Sequence, residues 1–115
     1  MIIRGGENIA SAEVENAVYA DTRIAECAAV PVPNNVLGEL VAVGVSLRPG
    51  ATATARDIMA QAAARLRAPA RPVFVHVYDD ALPRNANGKI VKTDIKTLVQ
   101  ELYLKDIAEN GRAKL

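Results

Sequence analysis

A chain of 115 residues with net charge +1, half of it apolar and under a quarter charged, suits one globular domain with a single modest core and not a disordered segment. Its charges interleave without a Lys/Arg block, and one Phe, three Tyr and no Trp leave few stacking platforms, so nucleic acid is excluded as a natural partner. The longest apolar run, LVAVGV, is too short for a membrane span, no secretory signal is visible, and the lone Cys27 forbids an internal disulfide and fits a reducing cytoplasm.

In chain order, Ile2-Ile3-Arg4 predicts a short extended piece that stops at Gly5-Gly6, a pair that permits positive φ and close backbone approach. Ser11 predicts a helix N-cap, with Glu13 and Glu15 in the first turn, where the helix dipole favours acids. Val14, Ala17 and Val18 share one face of this helix, which is expected to end near Asp21. Ile24 to Val32 reads as a strand closed by Pro33-Asn34-Asn35. Val41, Val43, Val45 and Leu47 alternate with Ala42, Gly44 and Ser46, a second strand. After the Arg48-Pro49-Gly50 turn, Thr54-Ala55-Arg56-Asp57 resembles a capping box, before a helix that buries Ile58, Ala62 and Leu66. Pro69 and Pro72 bound a short loop. Val73, Val75 and Val77 alternate with Phe74, His76 and Tyr78 in a third strand. Thr93 is expected to cap a last helix with Ile95, Leu98, Val99 and Leu102 inward. From Glu109 the pattern stops and the tail is expected to fray.

The order β-α-β-β-α-β-loop-α defines an α+β fold: a small three-stranded sheet with a short N-terminal hairpin segment, covered by about three helices. No repeat, low-complexity segment or linker divides it. Most of the apolar share is Ala and Val, so the core is thin and the domain is expected to lean on a larger partner.

Two stretches stand out. PRNANGKIVK, residues 83–92, sets Lys89 behind an Asn-Gly turn. Its pattern alone is that of a solvated surface lysine, and the GxxxxGK(S/T) spacing of a phosphate-binding loop is absent. RGGEN, residues 4–8, is either punctuation before a helix or a backbone surface past which a ligand slides. It lacks the GxGxxG spacing of dinucleotide folds.

Taken together, IIRGGENIASAEVENAV resembles the start, and LPRNANGKIVKTDIK the catalytic-lysine end, of the C-terminal domain of adenylate-forming enzymes. IAECAAVPVPNNVLGELVAVGVSLRPG between them is similar to that family's middle hairpin. GGEN is the form found in the acyl-CoA ligase branch. The resemblance covers about residues 1–103, which it implies to be a lid domain, with 104–115 the helix end and tail. It implies that Lys89 is catalytic in acyl-adenylate formation. It implies that Arg4, Gly5, Gly6, Glu7, Asn8 and Gly88 bind substrate, with Gly5 to Asn8 lining the path of the CoA thiol arm after a domain rotation. ATP, with Mg2+, and CoA would be the parent enzyme's ligands, bound by neither this domain alone nor any metal ligand set within it. The implied partners are an N-terminal adenylation domain of the same chain, CoA and acyl-adenylate. The physical logic is that a mobile cation offsets the repulsion between a carboxylate and a triphosphate, while glycines leave room for a narrow thiol.

The chain departs from the family pattern in its paired Asp79-Asp80 and in LRAPARP, where a lysine is usual before the proline. Arg67 or Arg71 is expected to replace it as a CoA-phosphate contact. Lys92 and Lys96 are further candidates for phosphate, with solvated charges as the plainer account. His76 and Cys27 have no cluster around them and read as structural. The phosphate loop and acid pocket are absent, so the chain is expected to be an excised domain or fragment, inactive alone. A stand-alone binding module and the lid of a carrier-protein acylating ligase are the alternatives.

Overall fold

The computed structural model describes residues 1–110. Its first two strands, β1 (Ile2–Arg4) and β2 (Glu7–Ile9), form a hairpin closed by Gly5-Gly6. The glycine φ values of +55° and +89° are those of a two-residue type I′ turn, whose twist matches that of the strands it joins. Next come α1 (Ser11–Tyr19), β3 (Ile24–Asn34), β4 (Gly38–Leu47), α2 (Ala55–Ala63), a single 3₁₀ turn (Ala68–Ala70), β5 (Phe74–Tyr78) and α3 (Lys92–Asn110).

All five strands join one mixed sheet with β4 at its centre. β3 runs antiparallel along β4 from Ile24–Leu47 to Asn34–Gly38. On the other edge of β4, β1 pairs at Arg4–Gly38 and β5 runs parallel from Ala42–Phe74 to Ser46–Tyr78. The expected three-stranded sheet is thus β3-β4-β5. The N-terminal hairpin is not a separate piece but extends the same sheet.

Helices cover both faces. Val41, Val43 and Val45 of β4 pack with Val14, Val18, Ile58 and Ala62 under α1 and α2. Ala42 of β4 packs with Val30, Val32 and Leu82 against Ile95, Val99 and Tyr103 of α3. β4 is therefore buried on both sides, which is why its polar alternation stops at Ala, Gly and Ser. Gly44 is the close-approach point. A Cβ there would lie 2.9 Å from Ile95 Cγ2 and 3.1 Å from Tyr78 Cε1.

The outer edge of β3 is protected side chain by side chain. The Cys27 amide donates to the Tyr19 hydroxyl at 3.2 Å and the Ala29 amide to Glu15 Oε2 at 2.9 Å. The next two alternate positions are Pro31 and Pro33, which have no amide to offer. Gln100 of α3 donates to the Pro31 carbonyl at 2.9 Å. An edge treated this way is a poor template for a stray strand.

Several local expectations shift by a residue or a turn. Ser11 is the first helical residue and not the cap: Ala10 holds the cap position and no side chain caps the helix. Thr54 does cap α2, its hydroxyl accepting from the Asp57 amide at 3.1 Å. Leu66 is buried, but just beyond the end of α2. α3 starts at Lys92, so Thr93 lies inside its first turn. The inward row of α3 is Ile95, Val99 and Tyr103, with Leu98 and Leu102 only half-buried. Tyr103 takes the deep place because its ring meets Phe74 edge-on at 5.7 Å. Glu109 and Asn110, expected to begin the tail, end α3, and the rest of the tail lies outside the described residues. Among the described residues no helix is long and apolar enough to cross a membrane.

Candidate functional site

The PRNANGK stretch folds into a tight hairpin. The Val91 amide donates to the Pro83 carbonyl at 2.9 Å and the Asn85 amide to the Lys89 carbonyl at 2.9 Å. Asn85 shapes the tip: its Oδ1 accepts from the amides of Asn87 (2.9 Å) and Lys89 (3.1 Å), while its carbonyl accepts from the Gly88 amide (3.0 Å). Gly88 has φ +81°, a value that a β-carbon would strain. Lys89 is exposed, and among the described residues nothing pairs with its ammonium. The result is a stiff loop that presents one free cation.

The hairpin is fastened to the sheet through Glu26, a mostly buried carboxylate near the start of β3. Glu26 Oε1 accepts from the Leu82 amide and the Ser46 hydroxyl, each at 3.3 Å. Glu26 Oε2 pairs with Nη2 of Arg84. Nη1 of Arg84 donates to the Gly88 carbonyl at 2.5 Å. Neither Glu26 nor Arg84 was singled out by the sequence pattern. Arg84 lies in the quoted motif, and Glu26 announces itself as the one charge in the otherwise apolar IAECAAV run.

The glycine turn sits at the other end of β3. Arg4 pairs with Gly38 and Gly38 with Asn34, while the Gly5 amide donates to the Leu37 carbonyl at 2.8 Å. From Glu26 to Asn34 is eight strand residues, or about 26 Å. The sheet thus anchors the two motifs at opposite ends. Both glycines need positive φ for the turn itself. Beyond that, a Cβ on Gly5 would press within 2.8 Å of Leu37 Cδ2, whereas Gly6 faces open space. Glu7 and Asn8 are exposed beside them.

Charges near the turn are largely spent on one another. Arg67 grips Glu13 through Nε (2.9 Å) and Nη2 (3.1 Å) and reaches Glu7 at 3.4 Å. The hydrogen bond from Arg67 holds the Glu13 carboxyl below its usual range. Arg71 donates from Nε to the carbonyls of Ala63 and Leu66, closing the end of α2. Lys92 pairs with Glu15 at 2.7 Å. These three cations therefore have partners inside the domain, Arg67 and Arg71 included, the two expected from the sequence to contact a CoA phosphate. Arg4 reaches the Ala68 carbonyl at 3.4 Å, and its Nε is buried without a hydrogen bond among the described residues. Lys96 is exposed.

Glu15, expected to serve the helix dipole, instead caps the β3 edge and holds Lys92. Cys27 is buried, as its apolar setting implied, and burial pushes its thiol up to about 12. His76 lies edge-on to Tyr78 at 4.8 Å, and desolvation lowers its pKa. Asp79 and Asp80 are exposed and line an open cleft with Arg48, Tyr78 and Glu26.

A sheet flanked by three helices, with a glycine turn at one end and a lysine hairpin fastened at the other, is the architecture of the C-terminal domain of adenylate-forming enzymes. The family described as the AMP-binding enzyme C-terminal domain matches residues 13–89, and the chain belongs to it.

Among curated relatives, the chain is 33% identical over 121 residues to a probable acyl-activating enzyme 22 of Arabidopsis thaliana, covering 94% of this chain and 22% of that one. It is 37% identical over 99 residues to a methyl-dioxo-octahydroindenyl-propanoyl:CoA ligase of Rhodococcus jostii, covering 84% and 18%. Among solved structures, ATP-bound MatB from Rhodopseudomonas palustris superposes with a TM-score of 0.78 at 30% identity, covering 88% of this chain and 20% of that one. The chain thus spans about a fifth of the length of these relatives.

Proposed function

We propose that this domain is the mobile lid of an AMP-forming acyl-CoA ligase, which converts an acid, ATP and CoA to acyl-CoA, AMP and pyrophosphate. The observation that carries the reading is the free Lys89 ammonium on a stiff, exposed hairpin. Membership in the family, the relatives' names as CoA ligases and the ATP in a structural neighbour support it.

In this reading residues 1–103 close over an N-terminal domain that holds ATP and the acid. Lys89 reaches between the carboxylate and the α-phosphate. It offsets their repulsion as the carboxylate oxygen attacks phosphorus and pyrophosphate leaves. An ammonium on a flexible stem suits a cation that must enter and withdraw. The domain then turns its other end inward. Gly5 and Gly6, with Glu7 and Asn8, border the path of the CoA thiol, which attacks the acyl carbon and expels AMP. Open space at Gly6 fits a narrow arm passing beside the backbone. Arg4 flanks that path and Gly88 sets the lysine's approach. Alternating two ends of one rigid sheet lets a single active site run two reactions.

Magnesium enters with ATP. Among the described residues no group of three or more His, Cys, Asp or Glu side chains is gathered as a metal-ion site. The lone buried thiol suits action in the cytoplasm.

The test removes residues 1–115 from the full-length ligase. Acyl-CoA formation is expected to fall by at least about a hundredfold, with ATP binding by the remaining domain retained. Unchanged turnover would take this domain out of the reaction.

A further inference from the structure

We propose that Arg84 and Glu26 are positioning residues for Lys89: together they clamp the peptide plane that leads into the lysine. This rests on the reading of Lys89 as the adenylation cation.

The base of the lysine hairpin is held by packing, with Leu82 buried and Ile90 against the same core. Its tip, where Lys89 leaves, is exposed on every side. There the Arg84 guanidinium spans the loop. Nη2 meets the Glu26 carboxylate on the sheet and Nη1 meets the Gly88 carbonyl. The Gly88 carbonyl and the Lys89 amide belong to one planar peptide unit. Asn85 Oδ1 holds the amide side of that plane at 3.1 Å while Arg84 holds the carbonyl side. Gripped at both ends, the plane has no free rotation, and the direction in which the lysine stem departs is set relative to β3.

The residue types fit the task. A planar fork spreads its donors in fixed directions and so spans a carboxylate and a carbonyl set apart, whereas a lysine would offer its three donors from one compact point charge. Glu26, with a side chain only 14% exposed, is an expensive carboxylate to keep in an apolar strand. It keeps Arg84, the Leu82 amide and the Ser46 hydroxyl as partners, and two of these three belong to the segment that carries Lys89. The clamp touches no substrate and acts through Lys89.

The experiment uses the full-length ligase with Arg84→Ala, Arg84→Lys, Glu26→Gln and Lys89→Ala. Acid-dependent pyrophosphate exchange reads adenylation, and thioester formation from supplied acyl-adenylate reads the second step. Arg84→Ala is expected to lower the adenylation kcat by about 10- to 100-fold, with the KM for ATP within about threefold and the thioester step within about twofold. Glu26→Gln shifts the same step in the same direction, and Arg84→Lys restores part of the rate. Added methylguanidinium rescues Arg84→Ala but not Lys89→Ala.

If Lys89→Ala collapses adenylation while Arg84→Ala stays within about twofold of wild type, the clamp is wrong and the lysine reading stands. If Lys89→Ala itself leaves adenylation intact, the lysine reading fails and takes the clamp with it. Equal losses in both half-reactions for Arg84→Ala would make Arg84 merely structural. Should Arg84→Ala not fold, Glu26→Gln and Arg84→Lys carry the same comparison of the two steps.

Discussion

Cys27 lies beneath α1 with its thiol directed at the Glu15 carbonyl, 3.6 Å away. Burial first, and the nearby Glu15 carboxylate second, push its pKa up to about 12. The thiolate is the nucleophile, so the native thiol is expected to resist iodoacetamide at about pH 8, while the urea-unfolded chain alkylates fully. Native labelling at the unfolded rate would show that β3 and α1 separate readily. At this scale the sequence was a partial guide. The burial of Cys27 follows from its apolar neighbours. The partners of Arg67, Arg71 and Lys92 do not, because each reaches across sequence gaps of five residues or more to groups that only the fold brings near.

At the scale of elements, β4 and α3 meet at Gly44, where the absent β-carbon sets the distance between sheet and helix. Gly44→Ala forces Ile95 and the Tyr78 ring to give way and is expected to destabilise the domain by about 1–3 kcal/mol, read as a lower midpoint in urea. A midpoint unchanged or raised would mean that the helix rides farther from the sheet. Gly44 was legible only as one member of a strand alternation; its packing duty depends on α3, whose inward row sequence spacing misassigned by favouring Leu98 and Leu102 over Tyr103. Strand existence, by contrast, followed from period-two patterns in β4 and β5 and from the apolar run of β3, although β4 starts three residues before Val41 and β3 continues through Pro33 and Asn34, which were expected to close it. Caps were less legible. Thr54 has both the hydroxyl and the acidic partner three residues on, whereas Ser11 and Thr93 have cap chemistry but sit just inside their helices.

For the whole molecule, the sheet is a rigid spacer with a different loop at each end. The resemblance in RGGEN and PRNANGK located both ends without any three-dimensional information. What it left out is how each end is held: Arg67 ties the glycine hairpin to α1 through Glu7 and Glu13, and Arg84 ties the lysine hairpin to β3 through Glu26. Each tie spends an arginine on a glutamate far away in sequence, in a fold whose small Ala and Val side chains give little packing to loops. One measurement tests the central claim most directly. With Lys89→Ala in the longer protein proposed to carry this domain, acyl-adenylate formation and thioester formation from supplied acyl-adenylate are assayed separately. The account predicts that the first falls by about 10²- to 10³-fold while the second stays within about twofold. Both half-reactions near wild type would contradict it, and would leave Lys89 a solvated lysine at the tip of a turn.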